Sequence, residues 1–500
     1  MSANSVAIAR YAKHFMSGTM LSRISGLARD MTMASLFGVS PAVAAFLVAF
    51  RFSNLLRRLF GEGALMNGVV PHYESLNAKD PKNGALFFRD LLWSFGIVLA
   101  CVIGFLELLL ASLLSTGLSF GNAEIIRLTM LMLPGLFGVC YYSLFSAVLQ
   151  CSERFFLPAI APVFFNSTWI IAMVYVRNWP VEKAMLGLSY ATLFAFGFQL
   201  ISVMIPSMRI LSRHLSLRNW FQISLFSPEV RAMLGKLTLV VIGVGAVQIN
   251  GAFDAICARY ASLEGPAFLT YAIRLYQLPL SLFAISVASA LLPSLVRNSS
   301  QKIQQSTLLS YGLYRSFQVL FPLTFALFLL GESAVACIYG HGEFSAFDVK
   351  QTALCLNAYG LGLVPASFVV ILAQAYYSQN DYKTSTKCSL ISVGMNAVLN
   401  GVMVLFLGWG AMSVAFATSI SAGVNCLLLF SHLNFQVQWC GYLKVIVATF
   451  CTYFMVSFLM QWVSFSSPLL HLIFFGSCFS SALYVAGVWR SVEDDSYQSA

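Results

Sequence analysis

Apolar segments of membrane-spanning length recur along the whole chain, separated by short polar or Gly/Pro-containing breaks. The segment at residues 91–114 contains a single charged residue, Glu107. A transmembrane helix needs about 20 predominantly apolar residues, because lipid offers an exposed backbone no hydrogen-bonding partner. The composition agrees, since 59% of the residues are hydrophobic and 10% are charged, whereas soluble proteins have about 25% charged residues. We therefore predict a polytopic membrane protein and exclude soluble, disordered and fibrous classes.

The fold class is predicted to be all-α, with about fourteen transmembrane helices. The predicted helices cover residues 10–37, 41–70, 86–114, 125–150, 156–177, 184–206, 233–259, 267–296, 309–331, 349–379, 386–407, 410–432, 441–463 and 467–489. No uninterrupted apolar core follows Arg10 and Lys13 before Arg23, so we expect the first helix to be retained and not cleaved as a signal peptide.

The loop charges predict that both termini are cytoplasmic. With that orientation the cytoplasmic loops and ends contain 17 Lys and Arg residues and the opposite loops contain 3, as the positive-inside rule requires. The cytoplasmic set is Arg10, Lys13, Lys79, Lys82, Arg89, Arg154, Arg209, Arg213, Arg218, Arg231, Lys236, Arg297, Lys302, Lys383, Lys387, Lys444 and Arg490. The opposite set is Arg177, Lys183 and Arg259.

A weak internal repeat becomes visible when Pro71 is aligned with Pro293, because small residues precede a proline in both segments. Two sets of six helices followed by two more is a plan of many secondary transporters. The predicted domains are an N-terminal lobe at 1–206, a basic cytoplasmic linker at 207–232, a C-terminal lobe at 233–433, and two helices with a short tail at 434–500. The two lobes are predicted to be pseudo-symmetric.

Apart from the loop charges above and Arg127 at a segment end, seven arginines lie within the predicted spans: Arg23, Arg29, Arg51, Arg57, Arg58, Arg274 and Arg315. Each costs about 2.5–3.5 kcal/mol at the bilayer centre, so seven that faced lipid would cost about 20 kcal/mol. They must therefore line water, pair with acids or extend to the membrane interface. Extension to the interface is plausible for Arg51 and Arg315.

Helical spacing suggests partners for two of these arginines. Arg23 and Asp30 share a face, and Arg58 lies one turn from Glu62. The same spacing gives no acidic partner to the remaining three, Arg29, Arg57 and Arg274. Arginines without partners on three helices predict a hydrated cavity that attracts anions, because guanidinium groups bind phosphate oxygens bidentately.

A second set of polar residues could coordinate Na⁺: Asp254, Asn396, Asn400, Val414 through its carbonyl, and Thr418. The alternative is that these side chains only form hydrogen bonds that pack the helices. The six histidines show no metal-binding spacing, and the sequence has neither a phosphate-binding loop nor a nucleophile elbow. We predict no cofactor other than Na⁺ and no transport driven by nucleotide hydrolysis.

Several motifs resemble those of one transporter family. They are MLSRISGLARD (20–30), LFGVS (36–40), VAFRFSNLLRRLFGEGALMNGVVPHY (48–73), ERFFLPAIAPVFFN (153–166), YAIRLYQLP (271–279), LLPSL (291–295), GHGEFSAFD (340–348) and YYSQNDYKTSTK (376–387). In this order they resemble the MurJ (MviN) lipid II flippases of the MOP exporter superfamily, over residues 15–435. The first and third motifs are highly specific to that family.

The resemblance implies a flippase, and not an enzyme, that carries lipid II from the cytoplasmic to the periplasmic leaflet of the bacterial inner membrane by alternating access. Two C-terminal helices would form a hydrophobic groove. The family's substrate-binding arginines correspond to Arg23, Arg29, Arg57 and Arg274, with Asp30, Arg51, Arg58 and Glu62 in supporting positions. Its sodium site corresponds to the five residues named above. Expected partners are lipid II, membrane lipids and cell wall synthesis proteins, with no nucleic acid.

The sequence departs from the family at three acidic positions, which are Ala44, Ile273 and Gln277 here. These departures make the cavity more positive and leave proton coupling open, and Glu107 has no explanation in the family. The alternative is another MOP transporter, either a polysaccharide-precursor flippase or an ion-coupled multidrug exporter. An exporter of cationic drugs would need acids where this chain has arginines. A membrane enzyme acting on polyprenyl phosphates would need a metal-binding acidic pair, whereas the acids within the spans are isolated.

Overall fold

The computed structural model describes residues 3–60, 64–117, 122–297, 301–379, 381–433, 439–463, 465 and 467–488. Side chains are described within these ranges except at residues 3–16, 56–60, 64–68, 217, 236–247, 249, 293, 302, 407 and 440. The chain divides into two compact units, Met1–Ala255 and Ile256–Ala500. The division falls inside a helix, and the predicted lobe limits at 206, 233 and 433 stay predictions.

All regular secondary structure in the described part of the first unit is helical. Its helices are α1 (Ala3–Phe37), α2 (Pro41–Phe60), α3 (Ala64–Asn77), α4 (Pro81–Ser115), α5 (Ala123–Met132), α6 (Gly135–Cys151), α7 (Phe156–Val176), α8 (Val181–Leu211), α9 (Leu217–Phe221) and α10 (Pro228–Ala261), which crosses into the second unit.

The regular secondary structure in the described part of the second unit is helical as well. It contains α11 (Gly265–Pro279), α12 (Ile285–Arg297), α13 (Lys302–Tyr339), α14 (Ala346–Leu361), α15 (Leu363–Ser378), α16 (Tyr382–Val402), α17 (Ala411–Ser431), α18 (Trp439–Trp462) and α19 (Pro468–Val485). A π-helical turn, Leu280–Ala284, joins α11 to α12, and a second one, Met403–Leu407, follows α16.

The all-α prediction is confirmed, and each of the fourteen predicted spans coincides with a helix or a pair of consecutive helices. Nine helical stretches of the described residues are long and apolar enough to cross a membrane, or up to eleven if two bent pairs count as one span each. The three predicted spans that do not qualify are α1, α2 with α3, and α10. The prediction of fourteen transmembrane helices is therefore not established by length and composition.

The same packing pattern occurs in both units, which confirms the predicted internal repeat. In the first unit α2 packs on α5 and α8, α3 packs on α4 and α6, and α8 also contacts α5, α6 and α7. In the second unit α11 packs on α14 and α17, α12 packs on α13 and α15, and α17 also contacts α14, α15 and α16. Each unit also has one bent pair, α5 with α6 at 41° and α14 with α15 at 43°.

A glycine at each bent pair lets a neighbouring helix approach closely. A Cβ atom on Gly138 of α6 would lie 2.9 Å from the Cβ of Phe196 in α8. A Cβ atom on Gly362, between α14 and α15, would lie 2.9 Å from the Cα of Ser419 in α17. Helices in lipid gain little from the hydrophobic effect when they associate, so small residues at such contacts stabilise them by allowing close van der Waals packing.

The last two helices pack on α13 within the second unit. Both α18 and α19 contact α13 and each other. Phe475 and Phe479 of α19 are buried in one cluster with Phe317 of α13. Ser333 of α13 is also hydrogen-bonded to His471 of α19, at 2.9 Å between Oγ and Nδ1.

Candidate functional site

Arg29 is a buried cation within α1. Its side chain forms an ion pair with the next residue, because Nε and Nη2 both donate to Asp30 Oδ1, at 3.0 and 2.7 Å. Arg29 is 7% exposed. Because two donors converge on one carboxylate oxygen, the positive charge is compensated within the helix that carries it.

Two other helices hold the same guanidinium group. From α7, Asn166 Oδ1 accepts a hydrogen bond from Arg29 Nη1 at 3.2 Å, and the ring of Trp169 lies 4.8 Å from Arg29 Cζ. From α2, the Phe50 ring lies 5.8 Å from the same atom. Cations are attracted to aromatic faces at such distances, most strongly when water is excluded. The guanidinium orientation is therefore fixed by three helices of the first unit.

The partners of Arg29 are fixed in turn. Asn166 Nδ2 donates to Ser25 Oγ at 2.8 Å, so this amide connects α7 to α1 in both directions. Trp169 is fully buried, and its Nε1 donates to Thr192 Oγ1 of α8 at 2.8 Å. Because both partners are hydrogen-bonded elsewhere, neither can rotate away from Arg29 without losing a second contact.

The prediction that Arg29 has no acidic partner is wrong. It considered only residues three, four or seven positions apart, which stack on one helix face. Adjacent side chains leave a helix about 100° apart, but the long arginine side chain folds back to reach the neighbouring carboxylate. Asp30 bonds to Arg29, and its pairing with Arg23 stays a prediction.

The other predicted substrate-binding arginines have different surroundings. Arg23 of α1 and Arg274 of α11 are both exposed on the helices of their own units. The backbone of Arg57 lies in α2, but its side chain and that of Arg58 lie outside the described side chains. Glu62 lies outside the described residues altogether. The substrate roles of these residues stay predictions, as does the hydrated cavity.

The two arginines predicted to reach the membrane interface have local contacts. A Cβ atom on Gly251 of α10 would lie 3.3 Å from Arg51 Nη2. Asp254 is three residues further along α10, so Arg51 lies on the helix face that carries this buried carboxylate. Arg315 Nε donates to Tyr311 Oη at 3.0 Å, and its Nη1 donates to Gln318 Oε1 at 3.3 Å. Both side chains therefore contact protein groups.

At the three positions where the resemblance predicts acids, this chain has one buried and two less buried residues. Ala44 of α2 is fully buried, Ile273 is half-buried and Gln277 is exposed. A carboxylate at Ala44 would need a partner to offset its desolvation. Alanine avoids that requirement.

The predicted sodium ligands of the second unit form two bonded pairs. Asn400 Nδ2 donates to Asn396 Oδ1 at 2.7 Å within α16, and Thr418 Oγ1 donates to the Val414 carbonyl at 2.9 Å within α17. Asn396, Asn400 and Val414 are buried, and α16 packs on α17. The fifth residue, Asp254, is 5% exposed and belongs to the first unit. Oxygen atoms of this kind suit a small hard cation.

A second buried ion pair was missed by the sequence analysis. Arg89, counted above as a loop charge, lies inside α4 and donates from Nε and Nη2 to Asp90 Oδ1, at 2.8 and 2.6 Å. Arg89 is 4% and Asp90 6% exposed. The signal was present, because Arg89-Asp90 repeats the Arg-Asp order of residues 29–30.

A repeated set of apolar helices with ionisable side chains inside them defines the class, which is a polytopic membrane transporter built from two related halves. A family model described as "Lipid II flippase MurJ" matches residues 33–481. The chain belongs to this family.

Individual relatives agree with the family model. A probable lipid II flippase MurJ of Chlamydia pneumoniae is 30% identical over 440 residues, which cover 86% of this chain and 78% of that protein. The lipid II flippase MurJ of Burkholderia cenocepacia is 27% identical over 495 residues, covering 94% of this chain and 95% of that protein.

Solved structures share the fold. A lipid II flippase MurJ in an inward-closed conformation has a TM-score of 0.79 at 22% identity, covering 95% of this chain and 97% of that one. An inward-facing multidrug transporter of the MATE family, in the MOP superfamily, has a TM-score of 0.64 at 16% identity, covering 84% and 96%. These likenesses show that the chain shares a fold with both transporters.

Proposed function

We propose that this protein is a lipid II flippase that moves the undecaprenyl-diphosphate-linked peptidoglycan precursor from the cytoplasmic to the periplasmic leaflet. The family match over residues 33–481 carries this proposal. Relatives described as lipid II flippases support it over most of the chain. Such a protein is a transporter and not a catalyst, and its place is the bacterial inner membrane.

The headgroup is proposed to bind through guanidinium groups. Arg23 and Arg274, exposed on their own units, and Arg57 would meet the diphosphate as donors of bidentate hydrogen bonds. Arg29 would offer an oriented guanidinium group whose charge Asp30 already offsets. Diphosphate binding at Arg29 therefore has to compete with Asp30, which favours release of the headgroup after translocation.

The lipid tail is proposed to stay in the bilayer beside α18 and α19. Wetting the isoprenoid chain would cost about 0.8 kcal/mol per CH₂. Large apolar side chains on these two helices are exposed, including Phe454, Phe458 and Leu470. A tail that remains among such side chains and the lipid avoids that cost while the headgroup crosses by alternating access.

Ions and the membrane potential are proposed to bias the cycle. The residues Asn396, Asn400, Val414 and Thr418 would bind Na⁺ through oxygen atoms, and Asp254 stays a predicted fifth ligand. With both termini in the cytoplasm, charges that move across the membrane respond to its potential by about 2.3 kcal/mol per elementary charge per 100 mV.

A complementation assay tests the proposed function. A strain depleted of its own flippase should grow on the wild-type protein and accumulate lipid II in the outer leaflet, and collapse of the membrane potential should lower that accumulation. Arg29→Ala and Arg29→Lys should both fail, because lysine lacks the planar fork. The matched control is Arg177→Ala, which removes an exposed arginine that follows α7. Growth of the depleted strain on Arg29→Ala with normal lipid II translocation would contradict the proposed role of Arg29.

A further inference from the structure

The segment that joins α8 to α10, residues 212–227, is fastened to α4. We call this segment the strap and Arg89, Asp90 and Ser94 of α4 its anchor. Arg89 Nη1 donates to the Asn219 carbonyl, Ser224 N donates to Asp90 Oδ1 at 3.1 Å, and Phe226 N donates to Ser94 Oγ at 2.9 Å. Three buried side chains of one helix thus hold three backbone groups of the strap.

Both backbone polar groups of Phe226 form hydrogen bonds to side chains of neighbouring helices. Its N–H is held by Ser94 of α4, and its carbonyl accepts a hydrogen bond from Arg231 Nε of α10 at 2.7 Å. Pro228, the first residue of α10, follows only two positions later. Phe226 therefore connects α4 to the first turn of α10, and α10 cannot shift along α4 while these bonds persist.

The strap backbone is strained at this same residue. Phe226 has a φ of 51°, in the left-handed region that a bulky side chain disfavours. Such a conformation persists only where the surroundings enforce it, and it is common in elements that move. Release of the strap would relieve this strain.

The strap can leave the anchor without leaving a buried charge unpaired. Arg89 and Asp90 are bonded to each other by two hydrogen bonds, so the pair stays compensated when the strap leaves. A buried charge without its counter-ion would oppose release strongly. The three backbone groups of the strap and the anchor atoms that held them then exchange their partners for water, and hydrogen bonds exchanged in this way have a small net cost.

We propose that the strap releases from the Arg89–Asp90–Ser94 anchor in each transport cycle, so that these three residues position α10 and set the rate at which it moves. The inference rests on the proposed function, because release of the strap is needed only if α10 moves during alternating access. It assigns a role in transport to residues that do not bind substrate.

Hydrogen exchange at the Ser224 amide in purified protein in lipid nanodiscs measures release directly. Ser94→Ala removes one strap bond, and exchange should become about fivefold faster. The matched control, Ser112→Ala, removes an α4 hydroxyl that bonds within its own helix, to the Leu109 carbonyl. Equal exchange rates in Ser94→Ala and wild type would overturn the anchor assignment.

Two variants, Phe226→Gly and Phe226→Ala, distinguish the effect of backbone strain from the effect of losing the side chain. Phe226→Gly removes the left-handed penalty, so Ser224 exchange should become about five- to thirtyfold slower than in Phe226→Ala, which keeps that penalty. Lipid II translocation should slow in Phe226→Gly relative to Phe226→Ala, while lipid II binding is equal in both. Slowed exchange with equal translocation would make the strap purely structural and overturn the proposal.

Failure of the proposed function and failure of strap release would give different results. If wild-type protein moved no lipid II, the proposed function would fail, although the exchange rates would still establish whether the strap opens. If wild-type protein moved lipid II and the Phe226→Gly and Phe226→Ala variants moved it at one rate, only the strap proposal would fail.

Discussion

Arg29 and Asp30, adjacent in α1, form a two-bond ion pair in which Nε and Nη2 of the arginine share the Oδ1 atom of the aspartate. Arg89 and Asp90 repeat the same atomic pattern in α4, with distances that differ by at most 0.2 Å (2.8 against 3.0 and 2.6 against 2.7). The two pairs lie 60 positions apart in different helices. The adjacent Arg and Asp side chains therefore form an ion pair with no net charge in both helices. Each pair contacts a different segment of the first half.

The Arg29–Asp30 pair should be important for stability. Asp30→Asn removes the carboxylate to which Arg29 donates twice, and breaking a buried pair costs about 3–5 kcal/mol. We expect a clearly lower Tm in a thermal unfolding measurement on detergent-solubilised protein. Glu182→Gln, which alters an exposed acid in the first turn of α8, serves as the control. An Asp30→Asn protein as stable as that control would contradict the structural role of the pair.

The aromatic contact of Arg29 should affect transport in a graded way. Trp169→Phe keeps a ring over the cation but loses the bond to Thr192, at about 0.5–1.5 kcal/mol. Trp169→Leu also loses the cation–π contact, which is worth about 2 kcal/mol when water is excluded. Lipid II translocation should fall more for leucine than for phenylalanine. Trp179→Leu is the control, because Trp179 is 44% exposed, lies beyond the end of α7 and has its ring contact with Tyr175. Equal translocation by the two Trp169 variants would count against the cation–π contact.

The fold was predictable where hydropathy alone decides it. Every predicted span coincides with helical backbone, because 20 apolar residues in lipid have no other way to satisfy their amides. The bends were not predicted. Pro134 and Gly362 are visible in the sequence, but a 41° or 43° bend also depends on which helix approaches, as α17 approaches at Gly362.

The site was predictable in residue type and less so in contacts. The sequence singled out Arg29, whereas Asn166 and Trp169, which hold it, were not selected. An amide and an indole in an apolar helix are indistinguishable from ordinary packing residues until the facing helix is known. Arg89 was counted with the loop charges Lys79 and Lys82 although the predicted span begins at residue 86, and α4 begins earlier still, at Pro81.

The N-terminal cap of α16 should make stability depend on pH. Asp381 Oδ1 accepts a hydrogen bond from Thr384 N at 3.1 Å, and hydrogen bonds from Thr384 hold the pKa of Asp381 below its ordinary value. A carboxyl whose pKa is lower in the folded state stabilises the fold above its unfolded pKa, about 3.9. That contribution is lost as the pH falls through the folded pKa.

Asp381→Asn can still cap the helix but cannot titrate, so its Tm should fall less than that of wild type as the solution is acidified below about pH 4. Parallel unfolding curves of the two proteins over this range test the cap. Identical acid sensitivity would show that other carboxyl groups control it.

Sodium should stabilise the wild-type protein more than potassium at equal ionic strength. A ligand that binds only the folded state raises the Tm with its concentration. Asn396→Ala and Thr418→Ala should lose the difference between the two salts, whereas Asn425→Ala, which removes another buried amide of α17, should keep it. If the wild-type protein melts at one temperature in both salts, the sodium proposal is wrong.

The adjacent ion pairs also affect how the chain is made. Arg29 and Asp30 need no other helix to meet, so their contact can form while α1 is leaving the ribosome and α7 has not been synthesised. A nascent helix with a compensated arginine enters the bilayer at lower cost than one with an isolated charge. Asn166 and Trp169 then join a cation that is already in place, which sets the order in which the first half assembles during insertion.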